Sequence, residues 1–269
     1  FIPILDSGEL DIEAYEKLLS RKTKLVSIFH VSNVTGTINP VKKMIASAHC
    51  FGAKVLIDGA QATTCQKIDV QDLNADFYVF SGHKMYGPSG VGILYAKYHL
   101  LDEMPPFLAG GDMIEEVTLS QTIFQKGAHK FEAGTPPLAS VIGLGAALDF
   151  IEQVGIEKVI IWNRKLIQYL MAQLNEIGTI EVIGKGIFRG PIVSMKFKNI
   201  HPLDLGTYLN LNAIAVRTGQ LCAAPGVRRF GVESLLRVSL SIHNTTNDID
   251  RLTQTLKEGI NILSPLSSL

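Results

Sequence analysis

The tightest constraint on the fold is a strand–helix–strand spacing. Leu25-Val26-Ser27-Ile28-Phe29 and Lys54-Val55-Leu56-Ile57-Asp58 are short, β-prone apolar runs, and a helical stretch from Pro40 to about Cys50 lies between them. Pro40 suits the first turn of that helix and Gly52 its C-terminal cap. Two strands joined through a helix make a βαβ unit, and such a crossover implies parallel strands. A further apolar run from Asp76 leads into Ser81-Gly82-His83-Lys84. After the tight Gly87-Pro88-Ser89-Gly90 loop, Gly92-Ile93-Leu94-Tyr95-Ala96 reads as a strand that returns antiparallel. The pattern predicts an α/β fold with a mostly parallel sheet.

The polar residues gather where these runs end. Open α/β sheets bind ligands at the carboxyl ends of their strands, and Asp58 and Lys84 both fall there. Lysine is almost never buried without a partner. Held in a partly desolvated site, its amine can form a Schiff base with an aldehyde. Pyridoxal 5'-phosphate (PLP) needs that amine together with a carboxylate for its pyridinium nitrogen. Ser81 and His83 offer donors for a phosphate. The plainer alternatives are an exposed loop lysine and a turn aspartate. His30, Ser32 and Asn33 cluster after Phe29, as site residues or as an Asx-type turn.

Elsewhere, Asp6 to Ser20 reads as a turn and a short helix, with Leu10, Ala14, Leu18 and Leu19 on one face. The segment from Gly110 to Phe131 lacks periodicity, and irregular stretches of this length are often functional. From Leu138 an apolar stripe of Val141, Leu144, Ala147, Leu148 and Ile151 predicts a helix, followed by another from about Ile156 to Ile177. The change near Gly155 marks the expected domain boundary, giving a large domain over 1–150 and a small α/β domain over 151–269. In the latter, strands are expected at Ile180–Ile183, Ile192–Phe197, Ala213–Val216 and Leu236–Leu240. Helices are expected from about Pro202 to Leu211 and from Asn247 to Leu263.

Of the three cysteines, Cys50 and Cys65 fit small buried hydrophobes. Cys222 lies on a Gly- and Pro-containing loop five residues after Arg217, and nearby positive charge favours the nucleophilic thiolate. Arg237 sits on an expected strand, where a guanidinium can grip a carboxylate through two parallel hydrogen bonds or form a surface ion pair. Arg228 and Arg229 read as solvated loop residues.

The 269 residues carry 25 basic and 25 acidic side chains, so no basic excess argues for nucleic acid or an anionic membrane. No apolar run is long enough to span a bilayer. Three cysteines without metal-ligand spacing fit the cytoplasm. The start, Phe1-Ile2-Pro3-Ile4-Leu5, has no basic region of a signal peptide and no initiator methionine, and it reads like the middle of a domain.

Five segments together carry a resemblance: His30-Val31-Ser32-Asn33-Val34-Thr35-Gly36, Asp58-Gly59-Ala60-Gln61, Ser81-Gly82-His83-Lys84, Phe131-Glu132-Ala133-Gly134-Thr135-Pro136 and Arg217-Thr218-Gly219-Gln220-Leu221-Cys222. In this order they resemble the fold-type I PLP enzymes of the class V aminotransferase group, and most closely the SufS-type cysteine desulfurases. The resemblance implies a homodimer that converts L-cysteine to L-alanine, places a persulfide on Cys222, and passes it to a SufE-like acceptor for iron–sulfur cluster assembly. It implies that Lys84 carries PLP, Asp58 holds the pyridine nitrogen, and Gln61 bonds the ring phenolate. It further implies that Ser81 and His83 hold the phosphate with Thr135 of the partner subunit, that Asn33 faces the cofactor ring and, with Arg237, orients the substrate, and that Arg217 helps hold the loop and thiolate. The family often has histidine where Leu221 stands. A selenocysteine lyase would use the same residues, and a truncated or degenerate copy acting as a binding subunit is the non-enzymatic alternative. In the family another segment, about a third of the subunit, comes before the part matching Phe1. The expectation is therefore that residues 1–269 alone are inactive.

Overall fold

A computed structural model describes residues 1–186 and 188–264. Helix α1 (Ile12–Leu18) precedes strand β1 (Leu25–Phe29), helix α2 (Val41–Cys50), strand β2 (Lys54–Asp58), the short helix α3 (Val70–Leu73) and strand β3 (Phe77–Ser81). A 3-10 turn over Gly82–Met85 leads to strand β4 (Gly92–Ala96). In the sheet the order is β1-β2-β3-β4, with β1, β2 and β3 parallel and β4 antiparallel to β3. The expected βαβ unit and antiparallel return are both present.

Helix α2 buries Val41, Met44, Ile45 and Ala48, the spacing of one helical face. They pack with Val26, Ile28, Val55 and Ile57 in the core of this half. Burying a side chain of the size of Val, Ile or Met stabilises the fold by about 1.5–3 kcal/mol. β1 is only half buried, since Val26 and Ile28 face the core while Leu25 and Ser27 are exposed on the opposite face. At the amino end of β3, buried Asp76 accepts hydrogen bonds from Val55 N–H at 2.8 Å, His49 Nε2 at 2.7 Å and Lys97 Nζ at 3.0 Å. Burial alone would raise its pKa, but these donors outweigh it and hold the carboxyl below its ordinary value.

The chain continues through helix α4 (Tyr98–Glu103), strands β5 (Ile114–Val117) and β6 (Thr122–Phe124), and a 3-10 turn at Gly127–Phe131. β5 and β6 form a hairpin inside the stretch expected to be irregular. Its tip closes where Thr118 Oγ1 accepts the N–H of Gln121 at 3.1 Å. Both strands are largely exposed, so no burial alternation marks them in the sequence. Helices α5 (Leu138–Val154) and α6 (Ile156–Asn175) meet at Gly155, where φ is 89° and the axis bends by 77°. The expected α5 stripe is split, with Leu144, Ala147 and Ile151 buried but Val141 and Leu148 exposed. The helix is apolar on more sides than the described residues cover. Among them, no single helix is long and apolar enough to cross a membrane.

Strands β7 (Ile180–Ile183) and β8 (Ile192–Phe197), helix α7 (Pro202–Leu211), strand β9 (Arg217–Gly219), helix α8 (Ala224–Arg229), strand β10 (Leu235–Ser239) and helix α9 (Thr246–Leu263) complete the fold. Their sheet runs β7-β8-β10-β9 and is antiparallel throughout. The strand expected at Ala213–Val216 is absent. Ala213 is left-handed at φ 56°, and Ile214 N–H bonds the Leu209 carbonyl to finish α7, so the ladder begins at Arg217. Leu166 and Leu170 of α6, Leu205 and Leu209 of α7 and Leu256 of α9 pack with Leu236 in the core of this half. Thr245 and Asp248 form a reciprocal cap at the start of α9, an arrangement worth about 1 kcal/mol. Side chains also join the halves: Ser194 Oγ donates to the Val34 carbonyl at 2.6 Å, and Asn163 Nδ2 to that of Thr64 at 3.1 Å.

Candidate active site

The carboxyl ends of the parallel strands are level, because Phe29 pairs with Asp58 and Asp58 with Val79. His30 N–H donates to the Asp58 carbonyl and Gly59 N–H to that of Val79, each at 2.8 Å. The Asp58 side chain emerges at this end, exposed, with Oδ1 accepting Ala60 N–H at 2.9 Å. Gln61 follows in the same turn, half-buried. A Cβ on Gly59 would lie 2.0 Å from a ring carbon of Tyr78, so only glycine lets the turn sit this close. Beneath it the Tyr78 hydroxyl lies 3.0 Å from His30 Nδ1. Burial pushes the His30 pKa down to about 4, leaving a neutral ring whose Nδ1 can accept the hydroxyl hydrogen. Tyr78 is absent from the sequence-based site, since nothing in an apolar strand run signals a partner 48 residues away.

Ser81 ends β3, and Gly82, His83 and Lys84 form the 3-10 turn that follows. A Cβ on Gly82 would come within 2.8 Å of the Val91 side chain. His83 and Lys84 are exposed and Ser81 is half-buried. The partly desolvated lysine expected from the sequence is not found, because the described residues leave that side of the turn open. Tyr86 caps the turn in a left-handed conformation at φ 66°, and its hydroxyl lies 2.8 Å from Ser241 Oγ, just beyond β10. The lysine turn is thereby tied to the second sheet.

That sheet brings up the remaining groups. Arg237 on β10 pairs in register with Arg217 on β9. Arg237 Nη1 donates to the Asn33 carbonyl at 3.2 Å, and Asn33 Nδ2 donates to the Leu221 carbonyl at 2.7 Å. Asn33, Arg237 and the Cys222 loop therefore converge at the carboxyl end of β1. Burial and the adjacent Arg217 guanidinium lower the Arg237 pKa, while the nearby Cys222 sulfur works in the opposite direction. Cys222 is exposed and Leu221 is buried.

Thr135 stands exposed ahead of α5, and among the described residues no hydrogen bond joins it to the other site residues. Cys65 is buried, and burial raises its pKa to about 12. Cys50 corrects the expectation of a buried thiol: it is exposed at the last turn of α2. Arg228 and Arg229 lie on α8 and pair with Glu233 and Asp6 at the surface.

The residues present suit PLP. A carboxylate and an amine stand at the carboxyl ends of adjacent parallel strands. Among the described residues the buried Nε of Arg237 has no hydrogen-bond partner, which suits a guanidinium meant for an anionic ligand.

The family model for class-V aminotransferases matches residues 1–252. A protein of Dickeya dadantii (strain 3937) called cysteine desulfurase is 45% identical over 256 residues, covering 95% of this chain and 62% of its own length. The S-sulfonic acid form of the cysteine desulfurase CsdA from Escherichia coli superposes with a TM-score of 0.92 at 35% identity, covering 97% of this chain and 65% of that one. The apo cysteine desulfurase of Thermococcus onnurineus NA1 superposes at 0.93 with 31% identity, covering 98% and 66%. The chain thus spans less than two thirds of the length of each of these proteins.

Proposed function

The chain belongs to the class-V aminotransferase family, whose fold is that of the type I PLP enzymes, and from this we propose that the protein is a SufS-type cysteine desulfurase acting on L-cysteine. The observation that carries the reading is the convergence of the Cys222 loop on Asn33 and Arg237. A thiol, a carboxylate-binding guanidinium and an amide meet beside the strand ends that hold Asp58 and Lys84.

PLP, when bound, supplies an electron sink for the charge that develops on the substrate's α-carbon. Asp58 would keep the proton on the pyridine nitrogen, and Gln61 would donate to the ring oxygen. Ser81 and His83 would hold the phosphate, joined by Thr135 of a second copy in a homodimer. Lys84 would hold the cofactor's aldehyde carbon and, once displaced by substrate, carry a proton to and from it. Arg237 would grip the substrate carboxylate through paired hydrogen bonds, with Asn33 fixing its orientation and Arg217 holding the loop.

Cys222 Sγ then attacks the substrate sulfur. A sulfur–sulfur bond forms as the substrate's Cβ–S bond breaks, and protonation at the former Cβ completes alanine. The sum is L-cysteine plus the thiol giving L-alanine plus the persulfide. A SufE-like acceptor takes that sulfur onward to iron–sulfur cluster assembly in the cytoplasm. The large and small domains are proposed to divide at residue 150, so that the site forms between them.

The test separates the two chemistries in the intact protein. Borohydride reduction should fix the cofactor on Lys84 by peptide mapping, and Lys84→Ala should lose both the adduct and the yellow colour. Cys222→Ser should keep the colour yet form no persulfide with L-cysteine. An adduct on another lysine, or a persulfide on Cys50 or Cys65, would refute the assignments.

A further inference from the structure

The loop that carries Cys222 has an unusual backbone. Leu221 and Cys222 are consecutive left-handed residues, at φ 54° and 57°, and Gly219 precedes them at φ 107°. Side chains with a Cβ rarely adopt this conformation singly, and two in succession persist only where surrounding contacts over-determine them.

Two independent contacts do so here. The Leu221 side chain is buried in a cluster with Val34, Ile183, Val227 and Leu235. The Leu221 carbonyl accepts the Asn33 amide at 2.7 Å. Val34 follows Asn33 directly, so both contacts land on the same turn after β1. Ala223 N–H closes the loop onto the Gln220 carbonyl at 2.9 Å, and Cys222 between them stays exposed. The main chain is fastened on one side of a thiol that remains free on the other.

We propose that Leu221 and Asn33 form a clasp that positions Cys222 for sulfur transfer, with Leu221 as its apolar half. The proposal rests on the reading of Cys222 as the sulfur-accepting thiol. Arg237 Nη1 holds the Asn33 carbonyl, so one residue references the thiol to the group that grips the substrate carboxylate. Truncating Leu221 frees the two strained residues to relax, and the thiol then spreads over many positions. Substrate capture, which belongs to Arg237, is untouched. Leu221 is thus a positioning residue whose loss lowers kcat and spares KM.

The test uses the intact, PLP-loaded protein and its Leu221→Ala, Leu221→Met, Asn33→Ala and Cys222→Ser variants. Hydrogen exchange is followed by mass spectrometry in the 217–226 peptide, with β2 and β3 peptides reporting that the fold is intact. Leu221→Ala should speed exchange in 217–226 about tenfold. It should slow single-turnover persulfide formation about tenfold with KM for L-cysteine unchanged. Leu221→Met, which keeps the volume, should restore both. Asn33→Ala should open the same peptide. Wild-type exchange in Leu221→Ala, or a KM that rises as kcat falls, overturns the clasp. A persulfide still formed by Cys222→Ser overturns the underlying reading instead, and the exchange measurement tells the two failures apart.

Discussion

His30 illustrates how a single buried group sets a pH response. Its folded pKa of about 4 lies below the ordinary histidine value, so the unfolded chain binds a proton that the folded protein excludes. Its contribution to stability is therefore full above about pH 6.5 and is lost as pH falls towards 4, on the order of 3 kcal/mol in all. Urea midpoints measured from pH 7.5 to 4.5 should fall for the native sequence and fall less for His30→Gln, and parallel curves would refute the idea. At this scale the placing of Asp58 and Lys84 after strand ends and of Cys222 on an exposed loop was legible, because polar residues stand out beside apolar runs and glycine turns. Tyr78 and Leu221 were not, because each looks like ordinary apolar filling until the residue it touches, far along the chain, is known. Lys84's exposure was equally hidden, since a turn in sequence does not say what covers it.

At the scale of elements, Asp76 joins three pieces with one carboxylate: the end of α2 through His49, the start of β2 through Val55, and the residue after β4 through Lys97. Asp76→Ala leaves the buried Val55 N–H and the His49 ring without this acceptor and Lys97 with only its bonds to Asn74, so it should cost about 3 kcal/mol in denaturant unfolding. Because the folded pKa is depressed, this contribution is complete above the ordinary carboxylate range and fades below about pH 4. A loss under about 1 kcal/mol would show that the triad is worth no more than a surface pair. The βαβ unit and the strands at 180–183 and 192–197 could be read from their apolar runs, since burial writes a period into the sequence. The β5–β6 hairpin and the displaced β9 could not. The first is exposed, and the second is moved by the way α7 ends, through a left-handed Ala213 that no composition rule marks.

Across the whole molecule, apolar surface is left open on two sides of the first sheet. Ile93 and Leu94 are exposed on β4, and Leu138, Val141, Ile142, Leu148 and Phe150 on α5. An apolar cleft of about 580 Å³ also runs along β1, away from Asp58 and Lys84. Unpaired edges and patches of this kind drive association. Residues 1–269 prepared alone should therefore self-associate in light scattering, and Leu94→Lys with Ile142→Glu should reduce the apparent mass. A monodisperse monomer from the unaltered chain would refute this.

The side-chain bonds between the halves carry a topological consequence. Asn33–Leu221, Arg237–Asn33, Ser194–Val34, Asn163–Thr64 and Tyr86–Ser241 all link the chain before the β5–β6 hairpin to the chain after it. Continuity of the polypeptide at the exposed tip near Leu119 is therefore dispensable for holding the site together. A protease that nicks this tip should yield two bands on a denaturing gel but one peak on native size exclusion. Separate native peaks would mean that the covalent thread, and not the cross-links, keeps Cys222 beside Asn33. If the nicked form survives, the tip is the place to open the chain for a split or circularly permuted version.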